Sequence, residues 1–270
     1  MQVGGGTAGV LDPIIAQIGE PLRSPSQSAA SLRSGAATID LRRQVDAVAE
    51  AATMGSTDEG KRGEEAMIIS LDNLKKGLDW RLKKWPKDIL NAEYYDMYGV
   101  RSSGVTETWW NATVDRLGQW KAYRGPSPPN TKADIAKRGF RRLAAIGAQY
   151  AKLAGTSAAE PNIADLSWEE VARLFDLASQ IKPRSPVFAS KMCHFLFPKL
   201  FIVMDNLATS VFDYEFYWRG MKDEWSRFGD KGKARTMLAE AIKSDKPLHP
   251  LYPFETKIME SSHIGHKHRV

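Results

Sequence analysis

A chain of 270 residues, 43% hydrophobic and 26% charged, suits one large domain or two small ones of ordinary globular composition. One cysteine, Cys193, excludes an internal disulfide and a four-ligand zinc finger, and no apolar run approaches the ~20 residues that cross a bilayer. The formal charge of +6 favours acidic or phosphate-bearing partners. The first residues lack the charged region, apolar stretch and cleavage site of a secretory signal, so a cytoplasmic protein with no membrane partner is expected.

The composition changes sharply along the chain. All 8 Trp, 8 Tyr and 10 Phe residues fall at or after Trp80. Residues 1–66 are rich in Gly, Ala and Ser and carry more Asp and Glu than Lys and Arg; the rest of the chain is strongly basic. A stretch so poor in large apolar side chains buries little surface against its ordering entropy, so residues 1–66 are expected to be a flexible extension. A short helix is expected at IDLRRQVDAVAEAATM, and the bias also fits initiation at Met67.

From Met67 onward the pattern is helical. Met67, Leu71, Leu74, Leu78, Leu82 and Trp85 step by three or four and form one stripe, which Pro86 ends. DILNAEYYDMYGV and TETWWNATVDRLGQWKAYR continue it, with Thr106 as an N-cap. RGPSPPN, from Arg124 to Asn130, is a break. One long helix is then predicted from about Thr131 to Leu153. In DLSWEEVARLFDLASQI, Ser167 and Glu170 have capping-box spacing ahead of Val171, Leu174, Ala178 and Ile181. KPRSP turns the chain into VFASKMCHFLF, Pro198 closes that helix, and LFIVM reads as an extended connector. DNLATSVFDYEFYWRGM and KARTMLAEAIKS are helical again. The predicted fold is all-α: a helical domain over residues 67–262 and a basic, histidine-rich tail over residues 263–270.

The order helix, KPRSP turn, helix, apolar connector and Asp resembles the helix-hairpin-helix DNA glycosylases, over about Ser167 to Phe212. The resemblance implies base excision, with Asp205 as the catalytic carboxylate and Lys191 near the place of the family's Schiff-base lysine. It also implies a base flipped out of the stack, for which Trp109, Trp110 and Tyr123 are candidate pocket residues. KPRSP departs from the family's hairpin in having no glycine. Blocks such as TWWNATVDRLGQWKAYRG, SKMCHFLFPKLFIVMDN and YPFETKIMESSHIG are also similar to those of uncharacterised bacterial helical proteins.

Each candidate has a plainer reading. Asp is a preferred N-cap, so Asp205 can simply start the helix expected to follow it. Lys191 can be a surface lysine whose stem lies along apolar neighbours. His194 and Cys193, set among apolar residues, read as a satisfied core histidine and an inert thiol. HIGH, His263 to His266, matches a nucleotide-binding signature of class I aminoacyl-tRNA synthetases, but without the strand that signature follows.

Two basic clusters point to nucleic acid. In KADIAKRGFRR, the residues Lys137, Arg138, Arg141 and Arg142 form a continuous face of the predicted long helix. In KKGLDWRLKKWPK, Lys83 and Lys84 adjoin Trp85, and aromatics among cations can stack on unpaired bases. DNA or RNA is therefore the expected partner, and an acidic protein the alternative. The phosphate loop, zinc-helix and nucleophile-elbow motifs are missing, so no cofactor or metal is expected.

Overall fold

A computed structural model describes residues 67–84, 90–123, 130–155, 160–205, 208–209, 213–242 and 246–268. The chain divides into two units, Met1–Gly63 and Glu64–Val270. The extension predicted at 1–66, with its short helix, lies outside the described residues, as do Trp85, Pro86 and most of RGPSPPN.

Ten α-helices and no strand occur among the described residues: α1 Leu71–Lys84, α2 Leu90–Arg101, α3 Glu107–Gln119, α4 Lys132–Phe140, α5 Leu143–Ala154, α6 Trp168–Ser179, α7 Pro186–Leu196, α8 Tyr214–Arg227, α9 Lys231–Ala241 and α10 Phe254–Lys267. The all-α expectation holds. Local signals set several boundaries. Thr106 accepts from Trp109 N at 3.2 Å, and Ser167 and Glu170 form their capping box at the start of α6. Leu74 and Leu78 of the predicted stripe are buried in α1. Met67 is not part of it: it precedes the helix and is 40% exposed.

The core is continuous and aromatic. Trp168, Phe175, Tyr214 and Trp218 pack ring to ring across α6 and α8, with Phe175 and Tyr214 stacked at 4.4 Å. Helix α7 lies at the centre, every residue from Phe188 to Leu196 being buried. The connector from Phe201 to Met204 is buried and neither helical nor a strand.

The closest helix pairing joins the two ends of this unit. A Cβ on Gly77 of α1 would stand 1.8 Å from the Ser261 carbonyl oxygen of α10, and one on Gly265 would stand 1.9 Å from that of Asn73. Glycine is required at both positions because the backbones touch. Asn73 meets Gly265 while Arg81 donates to Ser261 Oγ at 3.2 Å, so the helices run in opposite directions.

This corrects two expectations. The tail predicted from residue 263 is the last stretch of α10, helical through Lys267, with Ile264 and Gly265 buried. HIGH is consumed by this packing. The long helix predicted over 131–153 is two helices, because the backbone turns at Arg141 and Arg142. The turn is anchored from outside, since Arg142 Nε donates to Gln180 Oε1 just past α6, at 3.2 Å.

Candidate functional site

The structure brings Lys191 and Asp205 together. Ser190 Oγ accepts from Met204 N at 3.1 Å and donates to Val187 O at 3.1 Å, which ties the connector to α7. The next residue on each strand of that tie is Lys191 and Asp205, and Lys191 Nζ donates to Asp205 Oδ2 at 3.2 Å and to Trp120 O at 3.0 Å. Lys191 is not the surface lysine of the plainer reading: its side chain is 7% exposed, while that of Asp205 is 30% exposed and forms the open side of the pair.

Among the described residues, Asp205 is followed by a turn at Ala208 and Thr209 and not by the helix expected there. Its carboxylate accepts from Ala208 N at 3.4 Å, and its carbonyl accepts from Thr209 N at 2.8 Å, within a turn. The next helix among the described residues is α8, capped by Asp213, which accepts from Phe216 N at 3.1 Å. The Asp205 turn is also held from α10. His263 Nε2 donates to Thr209 O at 3.1 Å, and burial lowers the pKa of this histidine.

A second lysine adds positive charge near Lys191. Lys182, the first residue of KPRSP, is buried and donates to Ala122 O at 2.9 Å. Burial lowers its pKa, and the charges of Lys191 and Arg138 lower it further. Lys191 and Lys182 thus grip the carbonyls of Trp120 and Ala122, on either side of Lys121. Lys121 is in the left-handed region, at φ 57°, where Ala122 N closes the end of α3 onto Leu117 O at 2.9 Å. Arg184, in the KPRSP turn, is likewise left-handed at φ 59°. Two turns with exposed cations are therefore joined through Lys182. This junction escaped the sequence reading, although KPRSP itself carried the signal: three polar residues beside two prolines, two of them cationic.

The sequence-predicted basic face is divided by the break between α4 and α5. Arg138 NH2 donates to Asn130 Oδ1 at 3.0 Å, and Arg142 NH1 donates to Arg138 O at 3.2 Å. These two arginines hold backbone together. Lys137 and Arg141 are exposed, and neither forms an ion pair among the described residues. Lys83 and Lys84 are exposed at the far end of α1, and their companion Trp85 lies outside the described residues. The two clusters are on different helices with no described contact between them.

The remaining candidates are core residues. Trp109 and Trp110 are each 1% exposed, and Trp110 Nε1 donates to Ala136 O at 2.9 Å. A depression of about 40 Å³ between α2, α3 and α7 has room for two or three waters. It is lined by Trp109 but by neither Lys191 nor Asp205. His194 is fully buried, its Nδ1 donating to Phe201 O at 2.7 Å and its Nε2 accepting from the Tyr94 hydroxyl at 2.5 Å. Burial drives its pKa down and that of the Cys193 thiol up, so both are neutral core groups. Among the described residues, no three His, Cys, Asp or Glu side chains are grouped to hold a metal ion. No described helix is long and apolar enough to cross a membrane.

Comparison with protein-family models, curated proteins and solved structures gives no match to this chain.

Proposed function

We propose that the helical unit binds nucleic acid, using Lys137 and Arg141 as phosphate contacts. The observation that carries this reading is a division of labour on one short segment. Four cations lie within six residues; two are spent on backbone carbonyls and the amides of Asn130 and Gln180, and two are left exposed with no ion pair among the described residues. Solvated cations held in no ion pair replace the counterions of a phosphate backbone readily. The neighbouring acids are already engaged: Asp134 belongs to the α4 capping box, and Asp115 pairs with Lys132. The test is electrophoretic mobility of labelled DNA and RNA with the full chain and with Lys137→Ala/Arg141→Ala. Equal retention by both proteins rejects this surface, and no retention by either rejects nucleic acid in favour of an acidic protein partner.

The Lys191–Asp205 contact supports base excision as a second reading. An ionised Asp205 would stabilise the positive sugar that forms as a glycosidic bond breaks, and the Lys191 amine would be the nucleophile for its C1′ carbon. The resemblance of KPRSP and IVMDN to helix-hairpin-helix glycosylases supports the same assignment. Borohydride trapping on duplexes containing uracil or 8-oxoguanine tests it. A covalent adduct lost in Lys191→Met is expected, and an adduct that survives this substitution excludes Lys191.

A further inference from the structure

The surface that carries Lys137 and Arg141 also exposes an aromatic ring. Phe140 is 54% exposed at the end of α4. Residues 137, 140 and 141 are spaced by three and four, and Arg141 keeps helical dihedrals at φ −63° and ψ −18°. The three side chains therefore share one ridge.

The opposite side of α4 explains why the ring faces outward. Ile135 is fully buried, and a Cβ on Gly139 would fall 1.9 Å from the Trp110 ring. The α4 backbone thus rests directly on Trp110, whose indole N–H holds Ala136 O at 2.9 Å. With 135 and 139 turned to the core, position 140 has no route inward. Arg138 and Arg142, tied to Asn130, Gln180 and the backbone, fix this end of the helix further. Phe140 is a ring on a rigid mount between two solvated cations.

Exposure of an apolar residue is not itself a signal. Phe216 is more exposed, at 76%, yet its setting is the reverse. It adjoins Asp213 and Glu215, and the nearby Arg219 is already paired with Glu215 and Glu169. A polyanion is repelled there and attracted at Phe140.

We infer that the Lys137–Phe140–Arg141 ridge is a site for single-stranded nucleic acid, with an unpaired base stacked on Phe140 and its flanking phosphates on Lys137 and Arg141. This rests on the nucleic-acid reading above and adds the state of the ligand. A flat ring beside two cations matches the repeat of a single strand, where each nucleotide offers a π-face and a phosphate. In a duplex the faces are hidden within the stack, and Phe140 has nothing to add.

The experiment measures anisotropy of a short fluorescein-labelled oligo(dT), alone and annealed to its complement, with full-length wild type, Phe140→Leu, Phe140→Trp, Phe216→Leu and Lys137→Ala/Arg141→Ala. Leucine keeps the apolar bulk and helix propensity while removing the π-face. Tighter binding of the single strand than of the duplex is expected. So is about a tenfold loss in Phe140→Leu on the single strand alone, with Phe140→Trp and Phe216→Leu retaining wild-type affinity or better. If Phe140→Leu binds oligo(dT) like wild type while Lys137→Ala/Arg141→Ala weakens it, stacking is refuted and phosphate binding stands. If wild type binds neither probe at low salt, both readings fall.

Discussion

Lys191 Nζ stands 3.2 Å from Asp205 Oδ2, and Ser190, beside Lys191, holds Met204, beside Asp205, through a 3.1 Å hydrogen bond. The two ties make one ladder between α7 and the connector. Lys191 is the more buried partner and has a second obligation, to Trp120 O. Lys191→Met, which keeps the volume and removes the charge, is expected to cost about 2–4 kcal/mol of stability. Asp205→Asn keeps an acceptor at a more open position and is expected to cost about 1 kcal/mol. Urea unfolding of the two variants checks the order; an equal or reversed cost contradicts the assigned geometry.

Lys182 has the same duty on the other side of Lys121. Lys182→Met leaves the buried Ala122 carbonyl without its donor and is expected to cost about 1–2 kcal/mol. Lys121→Gly, by contrast, relaxes a left-handed residue at φ 57° and is expected to leave stability unchanged or raise it by up to about 1 kcal/mol. Thermal unfolding of both variants separates the clamp from the residue it clamps.

The α1–α10 contact depends on two missing side chains. Gly77→Ala places a methyl 1.8 Å from the Ser261 carbonyl oxygen, so the helices must separate. A loss of about 3 kcal/mol is expected. Gly265→Ala forces the same separation, and the double variant should cost less than the sum of the singles because the helices part only once. Strict additivity in thermal melts would contradict a shared contact.

How much of this was visible beforehand depends on range. Thr106, Ser167 and Glu170 act within one turn of themselves, and their caps were legible from spacing alone. The alternation of apolar residues in α1 and α6 was equally legible. The break at Arg141–Arg142 was not, because the helical pattern runs through it and the contact that holds the turn, with Gln180, is 38 residues away. HIGHKHRV read as a polar tail because composition ignores close contact: Gly265 faces Asn73, nearly 200 residues earlier. The residues around Lys191 alone read as a surface lysine, and only the glycosylase resemblance set it beside Asp205, 14 residues away.

A buried histidine, His194, and a half-buried one, His263, give the unit an acid sensitivity of definite sign. His194 and His263 both have lowered pKa values in the fold, with burial as the main cause. The unfolded chain therefore binds more protons below its ordinary histidine pKa of about 6.5, and stability falls as pH drops through that value. Above it both states are neutral and stability is flat. The expected slope is up to about 1.4 kcal/mol per pH unit for each histidine that stays neutral in the fold. Urea midpoints between pH 8 and 5.5 test the trend, and NMR titration tests the residues. A His194 midpoint at or above the ordinary value would contradict its burial.

The most direct test of the nucleic-acid reading is the salt dependence of affinity for a labelled single strand, measured with wild type, Lys137→Ala/Arg141→Ala and Arg138→Ala/Arg142→Ala. Removal of the two solvated cations is expected to flatten the log–log slope by about 0.7 per residue at unchanged stability. Removal of the two backbone-tied arginines is expected to lower stability first. Slopes that are equal in wild type and Lys137→Ala/Arg141→Ala, or no binding at low salt, would contradict the assignment of this surface.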